Sequence, residues 1–196
     1  MRFYKYAGNY RLTIGRYRLD KVAVSSELQN TFTRTWGEIY ADTDAAVHVA
    51  GIAEVGEILL VVGTTNGTST VFGGSGSITG AGTLDGFISK FDKETGHPYG
   101  ASSSVESISR RIQSVDSGHD WIADMCSSPV DPDHIYIVGA TGGRLAEVVD
   151  NDGKTGNVDA FVMKINVSTL NATWTRQLDA HSDDKTATLA RGISCV

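Results

Sequence analysis

Asp150, Asn151, Asp152 and Asp159 crowd oxygen donors around Gly153 in the stretch Asp150-Asn151-Asp152-Gly153-Lys154-Thr155-Gly156-Asn157-Val158-Asp159. Hard oxygen ligands at alternate positions around a turn glycine are what Ca²⁺ requires. Asp150, Asp152 and Asp159 are therefore the metal candidates; no cofactor is expected from the sequence, and calcium is the one that this loop could take. The EF-hand spacing is not met: Lys154 stands where an Asp or Asn belongs, and no Glu closes the loop. A solvated surface turn accounts for the same composition. Asp159 has a counterpart in Asp85, which opens a similar segment. Each could be a ligand, or each could cap its own turn by accepting backbone N–H groups.

Other candidates are spread along the chain. Asn66-Gly67-Thr68, Asn166-Val167-Ser168 and Asn171-Ala172-Thr173 fit the N-glycosylation pattern, which makes Asn66, Asn166 and Asn171 acceptor candidates. Arg34, Arg110 and Arg176 recur in one local pattern and could line a groove or pair with a neighbouring element. His48, His97, His119, His134 and His181 show no metal-binding spacing. Gly73-Gly74-Ser75-Gly76 lacks the Lys-Ser/Thr that follows in a phosphate-cradling loop. Cys126 and Cys195 form no CxxC pair, and the expectation is two buried thiols. No catalytic set emerges.

Charge narrows the partners. Lys and Arg number 17 against 23 Asp and Glu, a net charge of −6. Nucleic acid and anionic membrane surfaces call for clustered cations, so neither is expected. The longest apolar run, Ile58 to Val62, is far short of the roughly 20 residues that span a bilayer.

The elements that must position these residues are repeats. Val61-Val62-Gly63-Thr64-Thr65 returns as Ile137-Val138-Gly139-Ala140-Thr141, and Asp85-Gly86-Phe87-Ile88-Ser89-Lys90-Phe91-Asp92 returns as Asp159-Ala160-Phe161-Val162-Met163-Lys164-Ile165-Asn166. A third pattern, hydroxyl-apolar-hydroxyl-Arg, begins at Thr31, Ser107 and Thr173. A looser fourth reads Ala50-Gly51-Ile52, Ala123-Asp124-Met125 and Arg191-Gly192-Ile193. Alternating Thr and aromatic residues mark strands, and the 22 glycines with only 3 prolines fit many tight turns. The expected class is all-β: tandem four-stranded antiparallel blades forming a partial β-propeller. Residues 1–45 read as the end of a preceding blade. Residues 46–115 and 116–182 read as two blades, and 183–196 as the start of another. Strands are expected near 47–53, 57–63, 85–91, 106–113, 134–139, 159–166 and 172–178.

The pairing of Val-Val-Gly-Thr-Thr with Asp-Gly-Phe-Ile-Ser-Lys-Phe-Asp resembles the seven-bladed β-propeller repeat family, at residues 61–92 and 137–166. The resemblance implies a secreted or surface propeller with no common activity and no catalytic residue. Asp92-Lys93-Glu94-Thr95-Gly96 is similar, more weakly, to the Asp-x-x-Thr-Gly motif of quinoprotein-type propellers, but Ile108 stands where that family has a Trp. The expected function is a non-enzymatic, extracellular or cell-surface scaffold for interaction or adhesion. Its partners would be other blades, another protein or a glycan. The alternative is a fragment of a propeller enzyme, quinoprotein-like or hydrolytic, with its active site on other blades.

Overall fold

The computed structural model describes residues 4–6, 9–24, 27–41, 46–67, 84–100, 108–115, 118–145, 158–178 and 189–196. Every named element among them is a strand. In chain order these are β1 Tyr4–Tyr6, β2 Asn9–Val24, β3 Glu27–Ala41, β4 Val47–Val55, β5 Ile58–Thr65, β6 Asp85–Asp92, β7 Ser109–Ile112, β8 Asp120–Ser128, β9 Asp131–Thr141, β10 Asp159–Asn166 and β11 Ala172–Leu178. They form a three-stranded sheet, β1-β2-β3, and two four-stranded antiparallel sheets, β4-β5-β6-β7 and β8-β9-β10-β11. The duplicated set of four strands expected from the sequence is therefore present, and in each large sheet the four are called a, b, c and d in chain order: β4, β5, β6 and β7 in the first, β8, β9, β10 and β11 in the second. Only β7 is much shorter than expected, and β8 supplies the first strand of the second sheet.

The two large sheets agree in register. Val61 pairs with Ile52 and Ser89, and Ile137 pairs with Met125 and Met163. A bulge interrupts the first strand at the same place in each, at Ala50 between Val49 and Gly51 and at Ala123 between Ile122 and Asp124. The glycine opposite each bulge is required by space. A Cβ on Gly63 would lie 2.1 Å from the His48 carbonyl oxygen and 2.8 Å from the Phe87 ring. On Gly139 it would lie 2.1 Å from the Trp121 carbonyl oxygen and 2.7 Å from the Phe161 ring. No real Cβ approaches backbone so closely, which accounts for the Gly in both copies of the motif.

The sheets stack face to face, as period-two alternation demands. Leu60, Val62, Ile88 and Ile112 of the first sheet share one core with Ile122, Ile135, Ile137, Phe161, Met163 and Ile165 of the second. The opposite face of the first sheet buries Val47, Val49, Val61, Phe87 and Phe91 in a separate cluster. The run Ile58 to Val62 is thus apolar because β5 is covered on both faces. This is a partial, propeller-like arrangement in which each sheet lends a face to the next.

Candidate functional site

The turns that join strands repeat as faithfully as the strands. After β6, Asp92 Oδ1 accepts from Thr95 N at 2.7 Å, Thr95 Oγ1 at 2.9 Å and Glu94 N at 3.0 Å, and Gly96 adopts φ +77°. After β10, Asn166 Oδ1 accepts from Thr169 N at 3.0 Å and Thr169 Oγ1 at 3.2 Å, and Leu170 takes the left-handed place with φ +60°. The Asp-x-x-Thr-Gly likeness therefore has a local cause: the side chain builds an Asx turn and glycine relieves the backbone. Leu170 tolerates the same conformation while fully buried in the inter-sheet core.

A second device holds the turn after each b strand. Gly67 N donates to Thr65 Oγ1 at 2.9 Å, and Gly143 N donates to Thr141 Oγ1 at 3.0 Å. The carbonyls of Gly67 and Gly143 accept from Arg111 Nη2 and Gln177 Nε2 respectively. Asp85 and Asp159 stand behind these donors. Gln177 Nε2 also donates to Asp159 Oδ2 at 2.8 Å, whereas Arg111 attracts Asp85 by charge. Asp159 is buried, and its carboxylate is engaged in this turn-holding network. Asp150 and Asp152, the other calcium candidates, lie outside the described residues. Among the described residues no group of three His, Cys, Asp or Glu is placed to hold a metal ion.

Asp85 belongs to a polar cluster at the junction of the sheets. Asp85 and Asp120 are both buried, and Asp120 Oδ2 accepts from Ser114 N at 2.6 Å. His119 Nδ1 accepts from Leu84 N at 3.1 Å, and Asp120 N donates to Leu84 O at 2.7 Å. Burial pushes both carboxyls above the usual carboxylate range. The Asp120 charge pushes Asp85 further, while Arg111 and His119 oppose the rise. The cluster joins the start of β6 to the start of β8.

Beside it a cleft of about 690 Å³ opens between the first strands of the sheets, lined by residues that include His48, Thr64, Leu84, Trp121, Ile122 and Ala123. Its surface is chiefly apolar. Thr64 Oγ1 is already taken, accepting from Ile122 N at 3.2 Å. Neither His48 nor Trp121 stands out by motif, and each faces the cleft only because β4 and β8 stack. A sequence signal did exist. His48 leads Gly51 by the same spacing as Trp121 leads Asp124 in the looser fourth pattern, and the two fall at equivalent positions, paired with Thr64 and Ala140 and with their carbonyl oxygens against Gly63 and Gly139.

The remaining candidates divide. Arg110 pairs with the neighbouring sheet, Nη1 donating to Leu170 O at 2.8 Å and Asn171 Oδ1 at 3.1 Å. Arg176 is exposed on β11, and the Arg34 side chain lies outside the described residues. Asn66 and Asn171 are exposed and Asn166 is half-buried. The expectation of two buried thiols is overturned: Cys126 and Cys195 form a disulfide across a separation of 69 residues. Sequence spacing alone could not reveal it, because the pair meets only after the last segment folds back on β8. Comparison with protein-family models found none that matches this chain, and comparison with curated proteins found none either.

Proposed function

We propose that this chain is a β-propeller-type repeat scaffold, working outside the cytoplasm, that holds an apolar side chain of a partner protein in the cleft between its first strands. One observation carries the reading. The strand glycines and turn residues that build the scaffold match between the sheets, whereas several positions that line the cleft differ although the bulge residues Ala50 and Ala123 are the same: His48 answers to Trp121, Thr64 to Ala140 and Val47 to Asp120. A frame kept constant with one varied, apolar concavity is how repeat proteins make binding surfaces. The Trp121 indole offers large contact area at low entropic cost.

Disulfides persist where the surroundings are oxidising, so Cys126–Cys195 supports an extracytoplasmic site. The exposed Asn66 and Asn171 are compatible with it.

Peptides displayed on phage and panned against the chain test the reading. Retained peptides should share an apolar anchor and should lose binding at least about tenfold to Ala123→Trp, which fills the cleft, and to Trp121→Ala. No enrichment, or binding that survives both substitutions in folded protein, overturns it.

A further inference from the structure

The first sheet shows what an outward face of this repeat is for. Leu60, Val62, Ile88 and Ile112 of that face are buried beneath the second sheet, in the core the two sheets share. Two cations on the same face fix the seating. Lys90 Nζ donates to Ser168 O, and Arg110 Nη1 donates to Leu170 O at 2.8 Å. Both carbonyls belong to the Asx turn after β10. The cations thus dock on the c–d turn of the following sheet.

The outward face of the second sheet has the same layout. Tyr136, Val138, Val162 and Leu178 stand where Leu60, Val62, Ile88 and Ile112 stand in the first, and Lys164 and Arg176 stand at the places of Lys90 and Arg110. Leu178 is 56% exposed, against 3% for its counterpart Ile112. Lys164 meanwhile pairs with Asp131 Oδ2 at 2.8 Å, on the rim of the face.

Residues 189–196 already lie on this face as a first strand would. In the first interface Gly51 sits so close to Met125 that a Cβ on the glycine would lie 2.7 Å from Met125 Cγ. In the second, the equivalent Asp124 meets Ile193, which stands at the place of Met125: Ile193 N donates to Asp124 Oδ2 at 3.0 Å. Ser128 Oγ donates to Val196 O at 3.1 Å, and Cys126–Cys195 locks the segment down. Among the described residues no strand pairs with it.

We infer that the outward face of β8–β11 is the docking surface for a third four-stranded sheet of this same repeat, with residues 189–196 as its first strand and its c–d turn carbonyls received by Lys164 and Arg176. The occupant is chosen by continuity with the existing interface: residues 189–196 are already seated on this face at the place a next first strand would take. The inference does not depend on what the cleft binds.

The test elongates the full chain after Val196 with a copy of residues 129–178, supplying b, c and d strands. Amide exchange in β9 and β10 should slow at least about tenfold, acrylamide quenching of Trp fluorescence should fall, and the melting temperature should rise. Val162→Arg with Leu178→Arg in the receiving face should cancel all three gains. An unchanged melt and exchange pattern, or gains that survive the double variant, overturns the inference. If the elongated chain does not fold, the 196-residue chain decides: it should bind an apolar fluorescent dye, and Val162→Arg with Leu178→Arg should cut that binding several-fold. Absence of dye binding, or binding that the substitutions leave unchanged, overturns it equally.

Discussion

In the first large sheet the turn after β5 is held by a guanidinium: Arg111 donates to Gly67 O and faces the buried Asp85. In the second the turn after β9 is held by a neutral amide: Gln177 donates to Gly143 O at 3.0 Å and to Asp159 Oδ2 at 2.8 Å. The geometry is shared and the electrostatics are not. An amide satisfies a buried carboxylate with a directed hydrogen bond. A guanidinium adds charge compensation, which the first sheet needs because Asp120 of the neighbouring sheet raises the local negative charge. The same mould therefore takes an ionic filling only where a second carboxylate is brought close.

What the sheets hold in common gives the largest expected effect. Gly63→Ala and Gly139→Ala each force a Cβ into a carbonyl oxygen and an aromatic ring, and both contacts lie in packed core. Overpacking against backbone in such a place should cost about 3 kcal/mol or more in either sheet. Denaturant melts of the two variants check this. A well-folded Gly139→Ala beside a collapsed Gly63→Ala would break the equivalence of the sheets.

The clamps should respond unequally. Arg111→Met leaves the Asp85 carboxylate buried without its compensating charge, a loss of about 3 kcal/mol. Gln177→Met removes hydrogen bonds to Gly143 O and Asp159, about 1 to 2 kcal/mol. Asp85→Asn combined with Arg111→Gln rebuilds the neutral clamp in the first sheet and should recover most of the Arg111→Met loss. Equal losses from Arg111→Met and Gln177→Met, measured by chemical denaturation, would show that charge has no part in the difference.

Much of this mould can be read from the residues. Gly63 and Gly139, with the Asp85 and Asp159 segments 74 residues apart, announce two copies of one unit because steric and turn requirements act locally on each. Asp92-x-x-Thr95 and Asn166-x-x-Thr169 encode their turns the same way. The cleft and the disulfide resist such reading. His48 and Trp121 come together through the stacking of β4 on β8, and Cys195 reaches Cys126 because residues 189–196 occupy the place of a next first strand. Those are consequences of how sheets pack, and the clamp difference depends on it too: nothing local to Asp85 tells that Asp120 lies near.

The smallest expected effect isolates that neighbour. Asp85 and Asp120 both have folded-state pKa values raised above 3.8, chiefly by burial. In the unfolded chain both return to the ordinary value. Between 3.8 and the raised values the folded protein binds more protons than the unfolded chain, so the contribution of this pair to stability grows as pH falls through that interval and is complete below it. Asp92 and Asp131 act oppositely. Hydrogen bonds from Thr95 hold Asp92 low, and those from Lys164, His134 and Tyr136 hold Asp131 low. Their contribution is present above 3.8 and is lost as pH falls below it. Stability should therefore peak on the acid side of neutrality and decline in stronger acid. Asp120→Asn keeps an oxygen to accept from Ser114 N while removing the charge. At neutral pH it should change stability by no more than about 1 kcal/mol, in the stabilising direction. It should also flatten the rise between neutrality and about pH 4, while leaving the acid limb from Asp92 and Asp131 in place. Urea melts across that range decide it. If the variant keeps the full wild-type slope, Asp120 bears no unfavourable charge at the junction, and the electrostatic cause of an ionic clamp in the first sheet fails with it.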